Sequence, residues 1–419
     1  MDNDVVLLQR TRAWLMDGVL EPCYQAYLTY LIGRGYSSWS VRKYSCCVAH
    51  FAYWLRKRRA KLSQIDEALI RYFLDEHLPQ CDCPLRTPRS RNHVRQALKH
   101  LLVVLRQRAD ICRRPDFTPR WTQREIREFD AHLDQVCGLA ASTRRLRTRI
   151  VRTFLSQRFG ASRINMAQVK PEHVHRFVVS HLEGCKPGTG KVLGIALRSY
   201  LRFRGMHGDS VLSLIAGIPQ IAQWRFESLP DTLSEAELER FLNAFDRKSA
   251  IGRRDYAMAR CMVDLGLRAG EVASLQLDDM NWHDGTLRLQ AGKARRTDVL
   301  PLPPRTGRAI AQYLTDGRPV SDSRAVFLRH RAPLIEPVGS SVVRNTVRAA
   351  HARCGNDPRR RGTHVLRHSV GSRLVQAGVP MKEIADILRH RCLDTTAIYT
   401  TIDISGLARV ALPWPGRAS

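Results

Sequence analysis

Leu388-Arg-His-Arg-Cys-Leu-Asp-Thr-Thr-Ala-Ile-Tyr-Thr400 sets a histidine, His390, nine residues ahead of a tyrosine, Tyr399. Alone, such a tyrosine reads as core or surface. The blocks upstream change its weight. His364-Val-Leu-Arg-His368 puts His364 and Arg367 three residues apart, on one face of a helix. Thr286-Leu-Arg-Leu-Gln290 and Thr297-Asp-Val-Leu-Pro301 read as two strands joined by Ala291-Gly-Lys-Ala-Arg-Arg296, with Lys293 at the hairpin tip. Further back, Arg268 stands in Asp264-Leu-Gly-Leu-Arg-Ala-Gly-Glu-Val272. Gly266 and Gly270 are expected to leave room there for close approach.

These residue types suit phosphodiester exchange without a metal. A pentavalent transition state spreads negative charge over the non-bridging oxygens, so fixed cations must surround it. Arginine serves best, being always charged and presenting a planar fork. A nucleophile must attack in line, and a general acid must protonate the departing 5′ oxygen. The pair His364 and His368 has zinc-like spacing, but valine follows the first histidine where a zinc protease needs glutamate. His368 is expected to cap or pack nearby.

In order and spacing the blocks resemble the tyrosine recombinases, or phage integrases, over about 230–405. The resemblance implies a pocket of Arg268, Arg367, His364 and His390 that binds phosphate and handles protons. It makes Lys293 the general acid, Tyr399 the nucleophile that leaves a 3′-phosphotyrosine, and Glu271 a residue that orients Arg268 or its neighbours. No cofactor and no metal are expected. The expected partner is double-stranded DNA, with a homo-tetramer in the synaptic complex or a hetero-assembly with related recombinases. The family usually has glycine before the final histidine, where this chain has Arg389. Arg295 and Arg296 crowd the hairpin and compete for the role given to Lys293; they are also candidate DNA contacts.

Outward from these blocks, a boundary falls at Trp224-Arg-Phe-Glu-Ser-Leu-Pro-Asp-Thr232, and Ser234-Glu-Ala-Glu237 reads as a capping box. Residues 226–419 are therefore read as an α+β catalytic domain with a small antiparallel sheet. Met381-Lys-Glu-Ile-Ala-Asp-Ile-Leu388 reads as the helix leading to His390. The preceding region is mostly α, with apolar residues at three- and four-residue steps such as Val94, Leu98, Leu101 and Leu105.

Two stretches, Ile65 to Leu78 and Val169 to Leu182, align with Phe73 over Phe177 and His77-Leu78 over His181-Leu182. Tandem helical domains are expected at 1–112 and 113–225, the second a possible duplicate of the first and both loosely similar to the family's core-binding module. Arg56, Arg58 and Arg59 cluster in the first, and Arg144, Arg145, Arg147, Arg149 and Arg152 in the second, as candidate phosphate contacts.

Composition agrees with a polyanion partner: 68 basic against 39 acidic residues give +29 in 419 residues. No run of eighteen apolar residues is present, and the acidic start lacks the pattern of a signal peptide. Eleven scattered cysteines fit thiols in a reducing cytoplasm, at the nucleoid for a DNA enzyme, better than a disulfide framework. Cys81-Asp82-Cys83 is too tight for a zinc knuckle, and no second pair follows. Two rival readings are a type IB topoisomerase-like relaxase and a catalytically silent DNA-binding relative. The tandem helical region argues against the first, the complete polar set against the second.

Overall fold

The computed structural model describes residues 9–16, 18–84, 90–108, 120–183, 187–220, 230–290, 297–334, 336–390 and 393–402. It is mostly helical with one small sheet, the architecture expected from the sequence. The chain divides into two compact units, one of residues 1–113 with 229–419, the other of 114–228.

The first unit begins with α1 (Gln9–Met16), α2 (Glu21–Gly33), α3 (Ser38–Lys57), α4 (Glu67–Tyr72) and α5 (Arg91–Gln107). Ser37 caps α3 by accepting from the Ser40 amide, and Asp66 caps α4 by accepting from the Leu69 amide at 2.7 Å. A short 3-10 turn, Leu62–Gln64, precedes α4, and a π-helical turn, Phe73–His77, prolongs it. Their apolar faces close around Tyr27, Phe51, Phe73 and Leu101.

The second unit holds α6 (Arg120–Gln135), α7 (Ala141–Phe159), α8 (Pro171–Leu182), α9 (Pro187–Met206) and α10 (Leu212–Ala216), around Phe129, Phe154, Phe177 and Tyr200. Among the described residues its core buries one carboxylate, Glu125, which accepts from the Tyr200 hydroxyl at 2.8 Å and from Arg204 at 3.1 Å. From α2 onward the first set has the same order as α6 to α9: two helices, a 3-10 turn (Met166–Gln168 here), a helix and a longer helix. Of the expected phosphate contacts here, Arg144 is engaged by Asp134 and Asp130, and Arg147 donates to Ser199 Oγ at 3.0 Å. Arg145, Arg149 and Arg152 remain exposed.

The remainder of the first unit is α11 (Glu235–Asn243), α12 (Ala250–Leu265), α13 (Ala269–Ser274), β1 (Met280–Asn281), β2 (Thr286–Gln290), β3 (Thr297–Pro301), α14 (Pro304–Asp316), α15 (Ser340–Arg353), α16 (Thr363–Gln376), α17 (Met381–Ile387) and α18 (Leu393–Thr396). The sheet is antiparallel in the order β1-β2-β3, pairing Thr286 with Pro301 and Gln290 with Thr297. The capping box at Ser234 and Glu237 is present. Buried α12 forms the centre, packing on α14 and α16.

This region also meets the N-terminal helices directly. Leu334 donates its amide to the Arg34 carbonyl at 3.1 Å, Arg34 pairs with Glu336 at 2.8 Å, and Leu334 fills the space a side chain at Gly35 would need.

Candidate active site

Helix α16 carries four residues of one stripe. His364, Arg367, His368 and Gly371 fall at i, i+3, i+4 and i+7, so their side-chain positions share one face. Arg367 is buried, and its guanidinium is fixed at both ends: Nη1 donates to the Gly266 carbonyl at 2.6 Å, and Nη2 to the Leu388 carbonyl. Those carbonyls end α12 and α17, so one side chain ties two helix termini to α16. Burial, with Arg268 and Arg389 nearby, pushes Arg367 down to about 10, which still leaves it a cation at neutral pH.

Gly266 ends α12 in the left-handed conformation, φ +60°, and a side chain there would strike Leu388. The close approach expected at this glycine is present. At Gly270 it is not: nothing lies within 4 Å of where its side chain would start.

Arg268 stands at the start of α13. Its amide donates to Glu271 Oε2 at 2.8 Å, and its Nη1 to Oε1 at 2.7 Å. The second oxygen also accepts from Arg389 Nη2 at 2.8 Å. Burial would raise the Glu271 carboxyl, but Arg389 and Arg268 outweigh it and hold the group below the usual carboxylate range. Glu271 thus orients two arginines, Arg268 and Arg389. Arg389 adopts φ +53°, a conformation open to glycine and costly for other residues. That explains why glycine is common before the final histidine, and the Glu271 pair offsets the strain in this chain.

Tyr399 lies against α16. Its ring is buried, 1% exposed, and occupies the space that any side chain at Gly371 would take. Its hydroxyl lies 3.2 Å from His368 Nδ1. The His390 ring stacks over it, 6.2 Å between centroids and 17° between planes, and His390 Nδ1 lies 2.7 Å from Thr396 Oγ1.

Burial raises the phenol, with Arg367 and Arg268 opposing, so the resting group is protonated. Burial and the neighbouring cations bring His368 and His390 down to about 4, so both are neutral at pH 7. His364 is lowered by desolvation, Arg367 and Arg268.

Five sequence-selected residues, Arg268, Glu271, Arg367, His390 and Tyr399, are linked by direct contacts or shared fields, and His364 adjoins them on α16. Arg268 and Arg389 pair with Glu271, and Arg367 adds a third cation whose hydrogen bonds go to neutral carbonyls, so the pocket suits an oxyanion. Lys293, Arg295 and Arg296 lie outside the described residues. Sequence reasoning missed two positions. His368 is not a mere packing residue, since it sits on the phenol oxygen, and Gly371 makes the space for the ring; both follow the His364–Arg367 stripe by one further helical turn.

Residues 231–405 match the phage integrase family. Over 395 residues the chain is 37% identical to the putative integrase/recombinase y4rA of Sinorhizobium fredii, covering 94% of each. It is 28% identical to the tyrosine recombinase XerD of Corynebacterium glutamicum, over 68% of this chain and 94% of that protein. Among solved structures, XerH recombinase bound to a palindromic difH substrate superposes with a TM-score of 0.53 at 19% identity, covering 68% of this chain and 88% of that one. The Tn1549 transposon integrase in complex with a circular intermediate DNA gives 0.51 at 14%, covering 66% and 94%.

Proposed function

The chain belongs to the phage integrase family of tyrosine recombinases, and from that premise we propose how its residues divide the work of strand exchange. The protein is a site-specific recombinase that cuts and rejoins DNA. In the proposed division Tyr399 attacks the scissile phosphorus. The P–O bond to the 5′ oxygen breaks, and the DNA 3′ end becomes a phosphotyrosine. His368 accepts the phenol proton, Lys293 supplies one to the leaving 5′ oxygen, and Arg268, Arg367, His364 and His390 hold the non-bridging oxygens. Glu271 keeps Arg268 and Arg389 aimed. The phosphotyrosine conserves the phosphodiester's free energy, so religation needs no nucleotide and no cofactor.

The observation that carries this reading is the Tyr399 hydroxyl on a neutral His368, inside a pocket lined by Arg268 and Arg367. DNA is the proposed partner, as it is the ligand of XerH and of the Tn1549 integrase in the related complexes. A synaptic tetramer, or a hetero-assembly with related recombinases, follows from the need to hold two duplexes. Among the described residues, separate apolar clusters within 1–112 and 113–225, and two more within 226–419, support three domains with those bounds. The first two would grip DNA through arginines that include Arg145, with Arg295 and Arg296 contributing from the hairpin; Arg144 and Arg147 are already partnered and would contribute less. The similarity to integrase-type relatives supports integration, excision or transposition of a mobile element. Among the described residues no helix is long and apolar enough to cross a membrane, and a place in the cytoplasm at the nucleoid suits the substrate.

The test is recombination between two plasmids that carry a duplex site selected from a random pool by binding. Joint products at that site are expected. Relaxation of both plasmids at unrelated sequences, with no joint product, would favour a topoisomerase-like relaxase instead.

A further inference from the structure

Four ligating groups converge in the N-terminal helices, far from the chemistry in sequence. His50 projects from the middle of α3, His77 from the π-helical turn after α4, and Cys81 and Cys83 from the segment that follows. Their Nε2 and Sγ atoms all lie within 4.8 Å of one another. His50 Nε2 is 3.2 Å from His77 Nε2 and 3.1 Å from Cys81 Sγ, and Cys83 Sγ is 3.6 Å from His77 Nε2.

Tetrahedral zinc, with Zn–N near 2.0–2.1 Å and Zn–S near 2.3 Å, sets edges of about 3.3 Å for N···N and about 3.6 Å for N···S. The observed spacings approach that figure on three edges. A neutral ring nitrogen offers one proton or one lone pair, so His50 Nε2 serves both of its neighbours poorly by hydrogen bonding alone. A cation at the centre would accept all four.

The surroundings favour a closed structural site over a catalytic one. His50, Cys81 and Cys83 are buried and His77 is half-buried, beneath Trp14, Trp54 and Phe73. Neither cysteine is in a disulfide. His77 closes a π turn whose Leu78 amide reaches back to the Phe73 carbonyl at 2.9 Å, a rare geometry that tends to mark functional positions. The second helical set provides an internal comparison. On the register that pairs Phe51 with Phe154 and Phe73 with Phe177, His181 takes the place of His77. Thr153, however, stands at the place of His50 and Pro187 at that of Cys83, so two of the four ligands are missing.

We propose that His50, His77, Cys81 and Cys83 form a Cys2His2 structural zinc site. It would clamp the segment after α4 onto α3, one to two turns before the exposed Arg56, Arg58 and Arg59. The Cys81-Asp82-Cys83 pair is too tight for a zinc knuckle and no second cysteine pair follows it, but two histidines from distant helices stand where that pair would, and the expectation of no metal is revised at this place.

The test is zinc content of the full chain purified under reducing conditions, together with the visible spectrum after exchange into Co2+. One zinc per chain and the absorption of tetrahedral thiolate-bound cobalt are expected. Cys81→Ser with Cys83→Ser should lower occupancy by roughly tenfold or more. Cys185→Ser and Cys137→Ser should leave it unchanged. A wild-type chain that binds no zinc when supplied with it, or a cobalt spectrum without tetrahedral bands, overturns the proposal. So does binding that survives the double cysteine variant.

Discussion

At the scale of single residues, the geometry around Tyr399 turns on a residue with no side chain. A methyl at Gly371 would lie inside the Tyr399 ring, so Gly371→Ala must push the nucleophile aside. The expected result is a cleavage rate lower by about tenfold or more with DNA affinity unchanged, since displacing a reacting atom by about 1 Å is enough. Single-turnover cleavage beside a binding titration checks it; an unchanged rate contradicts the placement. Glu271 offers a second handle. Glu271→Gln leaves Arg268 and Arg389 facing each other without a carboxylate, a loss of about 2 kcal/mol expected in thermal or denaturant unfolding. Arg367 and His364 were legible from their helical spacing in the company of the other blocks. His368 and Gly371 were not, because their roles depend on where a tyrosine some thirty positions later packs.

At the scale of elements, residue alternation and turn chemistry were enough to place β2 and β3 with their observed ends, and the capping box located α11. The proposed duplication of helical sets can be followed in one pair of rings from each set. Phe51 and Phe73 meet edge-on at 5.0 Å and 70°, and Phe154 and Phe177 do so at 5.2 Å and 73°. What sequence could not supply was the partner of each arginine: Arg144 looked like its neighbours until α6 brought Asp130 and Asp134 beside it.

The hairpin yields the prediction on the general acid. Lys293→Ala should slow cleavage of ordinary DNA and recover when the leaving 5′ oxygen is replaced by sulfur, which departs without a proton. Arg295→Ala and Arg296→Ala should show no such recovery. Recovery in either of them, and not in Lys293→Ala, would move the role.

At the scale of the whole molecule, the charge of +29 governs association. Affinity for DNA should fall by orders of magnitude between about 50 and 200 mM salt if six or more phosphates are contacted, and a flat profile would count against a basic clamp. Acid sensitivity follows from histidines. His330, His351, His368 and His390 are brought down to about 4 from 6.5, chiefly by burial. The unfolded chain therefore takes up protons first. Their stabilising contribution is complete above about pH 6.5 and is lost as pH falls from there through about 4, so Tm should drop between about pH 7.5 and about pH 5. The grouping of residues 1–113 with 229–419 was invisible in sequence, since it rests on tertiary contacts such as Arg34 with Glu336.

The central claim is that Tyr399 becomes joined to DNA. A nicked suicide duplex, selected by binding to the full-length protein, traps that intermediate, and digestion followed by mass spectrometry identifies the attached peptide. The expected result is a 3′-phosphotyrosyl adduct on the peptide that contains Tyr399, absent from Tyr399→Phe. An adduct that persists in Tyr399→Phe, or that maps to another residue, would contradict the account.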